Sequence, residues 1–150
     1  MELWELVARE SVRDLVARYN ANGDSGRFDA LLEVFSPDAV MELVSTDDTV
    51  RRFEGKEAIA GIFTGTKSLW DARFSKGEGR RHVRHFVATH QIDVDDETHA
   101  RGRSYFVVLM PHGVDHWGRY VDRYEALGDR WYIVERRVFT DGRRSPPSSG

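Results

Sequence analysis

The 150 residues contain no cysteine. That absence excludes a disulfide frame, a thiol nucleophile and a cysteine-based zinc site, and it fits a reducing compartment. No apolar run approaches membrane-spanning length, and the opening stretch MELWELVARE is acidic and amphipathic where a secretory signal is basic and then continuously apolar. A soluble, cytoplasmic protein without a membrane partner is the expectation. Positive charge is not in excess: 22 basic residues face 25 acidic ones, for a net charge of -3, so nucleic acid is not an expected partner. Phosphate-cradling GxxxxGK[ST] and dinucleotide GxGxxG motifs are missing, and Ser104 has no nucleophile-elbow motif around it.

What is present suffices for one core. Hydrophobic residues make up 40% of the chain, enough for a single domain of this length but not for two. Trp4, Ala8, Val12, Leu15 and Tyr19 recur at helical spacing, so Leu3 to about Asn20 reads as an amphipathic helix. Asn20, Asn22, Gly23 and Asp24 then break it, and Asp24 or Ser25 caps a second helix whose face is Phe28, Leu31, Leu32 and Phe35. Ser36-Pro37-Asp38 stops that helix. Strands are expected at Ala39 to Val44 and Val50 to Glu54, a short helix at Lys56 to Phe63, and a loop with an apolar tip, including Trp70 and Phe74, from Thr64 to Arg80.

From Arg81 the pattern becomes strands separated by compact turns: Arg81 to Val94, Thr98 to Met110, Val114 to Leu127 and Trp131 to Phe139. Three helices ahead of such strands predict an α+β domain with the helices on one face of an antiparallel-rich sheet. The domain is expected over residues 1–140, with a disordered tail at 141–150 rich in Arg, Ser, Pro and Gly.

Tyr19, Asp24 and His85 are the candidate proton-transfer residues. Tyr19 inherits the buried stripe of the first helix, and Asp24 follows at its end. By strand alternation His85 shares a face with Val83, Val87 and Thr89, opposite Arg84, Phe86, Ala88 and His90. Each also has a plainer reading: Asp24 as an N-cap worth about 1 kcal/mol, Tyr19 as a hydrogen-bonded core tyrosine, His85 as a structural histidine. Inward positions near Ser104 and Phe106 are not acidic, so no carboxylate base is expected on a strand. His82 and His90 interleave with Arg84, and His112 and His116 flank a turn without paired carboxylates, so no metal is expected.

The run Tyr19, Asp24, Phe28-Asp29-Ala30-Leu31-Leu32, Phe35-Ser36-Pro37-Asp38-Ala39-Val40 and Phe53-Glu54-Gly55-Lys56-Glu57-Ala58-Ile59 resembles the front half of SnoaL-like domains. Arg84-His85 with Ile92 and Val94, then Gly118-Arg119-Tyr120-Val121-Asp122-Arg123-Tyr124 and Trp131 to Val138, is similar to the back half. The likeness covers Leu6 to Asp141 and rests on the order and spacing of these motifs. It implies the nuclear transport factor 2-like fold, a cone-shaped, strongly bent sheet wrapped around three N-terminal helices, with a pocket for a small hydrophobic organic molecule. Relatives include polyketide cyclases and scytalone and bile-acid dehydratases, which need no cofactor.

In the dehydratase branch an aspartate after the first helix faces a histidine of the sheet, and the matching positions are Asp24 and His85. The resemblance implies that neutral His85 takes a proton from carbon, Asp24 orients the imidazole, and Tyr19 polarises a carbonyl or protonates a departing hydroxyl. It also places Arg136 near a pocket arginine of related lyases. Substrate contacts are expected from Trp70, Phe74, Thr89, Tyr105, Trp117 and Tyr120. Thr89 stands where many relatives have Asn, and Asn22-Gly23 is expected to loosen the loop carrying Asp24. The implied activity is that of a dehydratase, cyclase or isomerase. A non-catalytic ligand-binding module, or an accessory subunit of a ring-hydroxylating oxygenase, stays open. A homodimer or trimer through the sheet's convex face is expected.

Overall fold

The computed structural model describes residues 1–74 and 82–145, with side chains for 1–65 and 82–145. Helix α1 spans Leu3–Asp24 and α2 spans Phe28–Leu32; strands β1 (Phe35–Val44) and β2 (Val50–Glu54) lead into α3 (Lys56–Phe74). Four long strands follow, β3 (Arg84–Val94), β4 (His99–Met110), β5 (Gly113–Leu127) and β6 (Arg130–Arg143). They join one six-stranded sheet in the order β2-β1-β6-β5-β4-β3. β1 runs parallel to β6, and every other neighbouring pair is antiparallel. The sheet curls around the helices without closing, giving the expected α+β architecture. Register irregularities in β1, β3, β4 and β5 supply bends, because an extra residue on one strand kinks it and increases its twist.

The core lies between α1 and the concave face. Ala8, Val12, Leu15, Val16 and Tyr19 of α1 meet Phe106, Val108, Tyr120, Tyr124 and Ile133 of the sheet. Trp4, read as the start of that stripe, is instead partly exposed at 37%.

Helix α1 does not end at Asn20. It continues to Asp24, and the residue that stops it is Gly26, in the left-handed region at φ 72°. Only glycine takes that conformation without a Cβ penalty, which makes it the usual residue just past a helix end. Gly23, which reads as a breaker, lies inside the helix for a packing reason: a Cβ there would meet Leu31 Cδ1 at 3.1 Å. A larger residue at position 23 would require Leu31 to give by a few tenths of an ångström. Asp24 is therefore not the cap of α2, whose N-cap is Arg27 without a side-chain cap bond.

Three further boundaries differ from expectation. β1 begins at Phe35 rather than Ala39; Phe35 pairs with Ile133, and the register shift between Phe35 and Val40 accommodates Pro37, which has no N–H for the ladder. The expected loop from Thr64 is helical through Phe74, so Gly65 is tolerated inside α3 at a cost of about 1 kcal/mol relative to Ala. The rest of that loop, residues 75–81, lies outside the described residues. β6 runs to Arg143, three residues into the stretch read as a disordered tail, held by pairing of Gly142 with Trp117 and Arg143 with His116. Residues 146–150 lie outside the described residues.

Candidate functional site

The last two turns of α1 present Ala17, Asn20, Ala21 and Asp24 at i, i+3, i+4 and i+7, one face of the helix. With His85 and Val87 of β3 they line a groove of about 540 Å³. Asp24 and His85 meet across it. The main-chain N–H of His85 donates to Asp24 Oδ2 at 2.9 Å, and its Nδ1 lies 2.5 Å from Asp24 Oδ1. A carboxylate only accepts, so the proton of the neutral ring is on Nδ1, which leaves the lone pair on Nε2. The side chains are 9% exposed for Asp24 and 24% for His85, so the carboxylate is enclosed while the imidazole reaches solvent. Arg27 and Arg84 also line the groove and add positive charge around it.

A second polar group lies deeper. Arg136 is fully buried and grips Asp122 through Nε at 2.9 Å and Nη2 at 2.8 Å. The two residues are register partners on β6 and β5. Tyr124 Oη donates to Asp122 Oδ2 at 2.7 Å, and His90 Nε2 lies 3.5 Å from the same hydroxyl. Gly102 permits this approach, since a Cβ there would meet Tyr124 at 2.9 Å and His90 at 3.2 Å. The guanidinium lies between two rings, 4.3 Å from the centroid of Tyr19 and 3.9 Å from that of Tyr120. Burial opposes its charge, but the Asp122 carboxylate outweighs burial and keeps it protonated. Burial likewise raises the pKa of Tyr19, Tyr120 and Tyr124, so all three remain phenols at neutral pH.

The two groups connect through Asn20. Tyr120 Oη donates to Asn20 Oδ1 at 3.1 Å, and Asn20 is one helical turn before Asp24. Phe106 links them on the sheet side, its ring 4.7 Å from that of Tyr120 and 6.4 Å from the imidazole of His85. His116, half-buried, approaches the same Phe106 ring at 6.2 Å, and its Nδ1 lies 2.7 Å from Asp115.

The candidate residues thus divide into three places. Asp24 and His85 share the groove, whereas Tyr19, Tyr120 and Arg136 pack together in the core behind it. Tyr105 and Trp117, 59% and 43% exposed, lie on the outer face. Strand pairing explains this: Phe86 pairs with Val107 and Val107 with Trp117, so Trp117 shares the face of Phe86, opposite His85. Thr89 is exposed, at φ 52° in the β3 bulge. That bulge reverses the alternation, so His90 rather than Thr89 turns toward Tyr124. The side chains of Trp70 and Phe74 lie outside the described residues.

Two residues escaped the sequence reading. Asn20 looked like a helix breaker. Asp122 is an inward strand carboxylate that the reading around Ser104 and Phe106 did not consider, and Arg136 and Tyr124 occupy it. Its signal was parity, since Tyr120, Asp122 and Tyr124 alternate on one face. Among the described residues no cluster of three His, Cys, Asp or Glu side chains converges on a metal position, and no helix is long and apolar enough to cross a membrane.

The sequence matches the SnoaL-like domain family over residues 4–137. Among curated proteins none matches. Similar solved structures include a protein described as a scytalone dehydratase from Novosphingobium aromaticivorans (TM-score 0.72, 18% identity, covering 100% of this chain and 99% of that one). Another is an NTF2-like protein with a cystatin-like fold from the same organism (TM-score 0.69, 24% identity, 93% and 90% covered). A third is the β subunit of benzoate 1,2-dioxygenase from Burkholderia mallei (TM-score 0.71, 20% identity, 86% and 87% covered). At these identities the structures establish the fold, and the family match establishes kinship: the chain belongs to the SnoaL-like domain family, with a nuclear transport factor 2-like fold.

Proposed function

We propose that the protein is a cofactor-independent lyase or isomerase, dehydratase- or cyclase-like, acting on a small hydrophobic cyclic substrate through Asp24 and His85. The observation that carries this reading is the doubly hydrogen-bonded Asp24–His85 pair on the wall of an open groove. Nε2 of His85 takes a proton from a carbon next to a carbonyl, and the C–H electron pair moves into the carbonyl to give an enolate. Asp24 stabilises the imidazolium. The enolate either regains the proton at another carbon or expels a group from the β carbon, which leaves with the C–X electron pair and takes up the proton held by His85. Arg136, Tyr19 and Tyr120 act from behind the wall as supports of the α1 face rather than as groups that touch substrate.

The test is proton exchange, which needs no knowledge of the natural substrate. In D2O the protein should accelerate deuterium incorporation at C2 of 1-tetralone, followed by NMR, and His85→Ala should abolish the acceleration. Equal exchange with and without His85 overturns the proposal.

A second reading, an accessory subunit of a ring-hydroxylating oxygenase, draws on the likeness to dioxygenase β subunits and on the exposed outer-face residues Phe86, Tyr105 and Trp117. The same patch would serve a homodimer or trimer. Sedimentation of the purified chain with and without Trp117→Arg separates self-association from a monomer awaiting a partner.

A further inference from the structure

Among the described residues, four buried side-chain atoms have no hydrogen-bond partner: Arg9 Nε, Asn20 Nδ2, Ser104 Oγ and Arg136 Nη1. Of these, Asn20 alone belongs to a residue that lines the groove with Asp24 and His85. It is 7% exposed, and its Nδ2 is removed from solvent without compensation. A buried donor left unpaired carries its full desolvation penalty, and native structures pair about 90% or more of such groups.

The orientation of this amide follows from its neighbour. Tyr120 is 2% exposed, and Asn20 is its hydrogen-bond partner among the described residues. Its phenol keeps its proton and needs an acceptor. Turning the amide over would offer Tyr120 an N–H and leave the phenolic proton without one. Oδ1 therefore faces Tyr120, and the two N–H bonds of Nδ2 remain for something else. Asn20 and Asp24 are four residues apart on one helix and both line the groove, so the groove is where a partner for Nδ2 would enter.

We propose that Asn20 is the substrate-binding donor of the groove, and that the substrate presents to it a neutral acceptor oxygen, a ketone or enone carbonyl, adjacent to the C–H that faces His85. This inference rests on the proton-transfer reading and assigns the residue that holds the carbonyl oxygen of its substrate. A haloalkane or other substrate without an acceptor would leave Nδ2 unpaired. A carbonyl oxygen pairs it, and the bond strengthens as enolate charge develops on that oxygen. Tyr19, the residue expected to polarise the carbonyl, is instead held in the core by Phe35, Phe63, Tyr120 and Arg136.

The experiment compares two probes of one skeleton, 1-tetralone and tetralin, which lacks the carbonyl. Binding is measured by ligand-observed NMR titration, and the side-chain amide signal of Asn20 is followed in a ¹⁵N spectrum of the wild-type protein. The wild type should prefer the ketone by about tenfold, the worth of one good hydrogen bond. The Asn20 amide signal should shift with ketone and not with tetralin. Asn20→Asp, which keeps an acceptor for Tyr120 but removes both donors, should bring the preference to about one. Asn20→Leu should do the same if the aspartate variant does not fold. His85→Ala should keep the ketone preference while losing exchange, which separates failure of this assignment from failure of the proton-transfer reading. An unmoved amide signal, a wild type without ketone preference, or an undiminished preference in a folded Asn20 variant overturns the assignment.

Discussion

Both oxygens of Asp24 are occupied by one residue: His85 donates its main-chain N–H to one and its ring N–H to the other. The backbone bond fixes the carboxylate against β3, and the ring bond then fixes the imidazole tautomer. Neither group can turn without breaking a charge-assisted hydrogen bond. Asp24 also lies at the carboxyl end of α1, where the helix dipole disfavours negative charge, so these two donors offset an electrostatic cost.

Asp24→Asn should therefore disable proton transfer without unfolding the protein. An amide offers one acceptor and one donor where His85 presents two donors, so the ring proton moves to Nε2 or a bond is lost. Exchange at C2 of 1-tetralone should fall by about 10²- to 10⁴-fold, as in His85→Ala. Full activity in either variant would remove the pair from the mechanism.

The Arg136–Asp122 pair predicts a non-additive mutant cycle. Asp122→Ala leaves a guanidinium with no exposure and no carboxylate, and should cost about 3–5 kcal/mol in urea denaturation. Asp122→Leu combined with Arg136→Met removes both charges and should cost less than Asp122→Ala alone. Additive losses would show that the pair is not the source of the stabilisation.

Two histidines should make the fold acid-sensitive. Burial holds His90 below the ordinary value of 6.5, with Arg136 and Arg13 acting in the same direction and Asp122 against them. Burial also lowers His116, aided by Arg143 and His85 and opposed by its bond to Asp115. Between the folded values and 6.5 the unfolded chain binds more protons, so stability is full above about 6.5 and is lost as pH falls through the folded values. The urea midpoint should drop as pH falls below 6.5, and His90→Gln with His116→Gln should flatten that drop.

The end of α1 can be tested with glycines. Gly26→Ala meets nothing within 4 Å but inherits φ 72°, so it should destabilise by about 1–2 kcal/mol. Gly61→Ala, inside α3 and equally unobstructed, should stabilise by about 0.5–1 kcal/mol. Thermal denaturation of the two variants should therefore shift in opposite directions.

Much of the fold was legible because short-range periodicity carries it. The buried spacing of Ala8, Val12, Leu15 and Tyr19 marked α1, and the turns before His99, Gly113 and Arg130 marked the long strands. Asp24 and His85 were found through motif order, 61 positions apart in the chain. Misreadings fell where a local signal had a tertiary cause. Gly23 reads as a breaker but makes room for Leu31, and the Thr89 bulge reverses a strand whose letters alternate regularly.

The sequence by itself determined most of the element types and the residue types available for proton transfer, since these follow from hydrophobic period and side-chain chemistry. Only the tertiary structure decided that Asn20 lines the groove while Tyr19 and Arg136 stand behind it. The reason is rotation. Neighbours on a helix are about 100° apart, so which of Tyr19 and Asn20 meets the groove depends on how α1 lies on the sheet, and packing over many distant residues sets that.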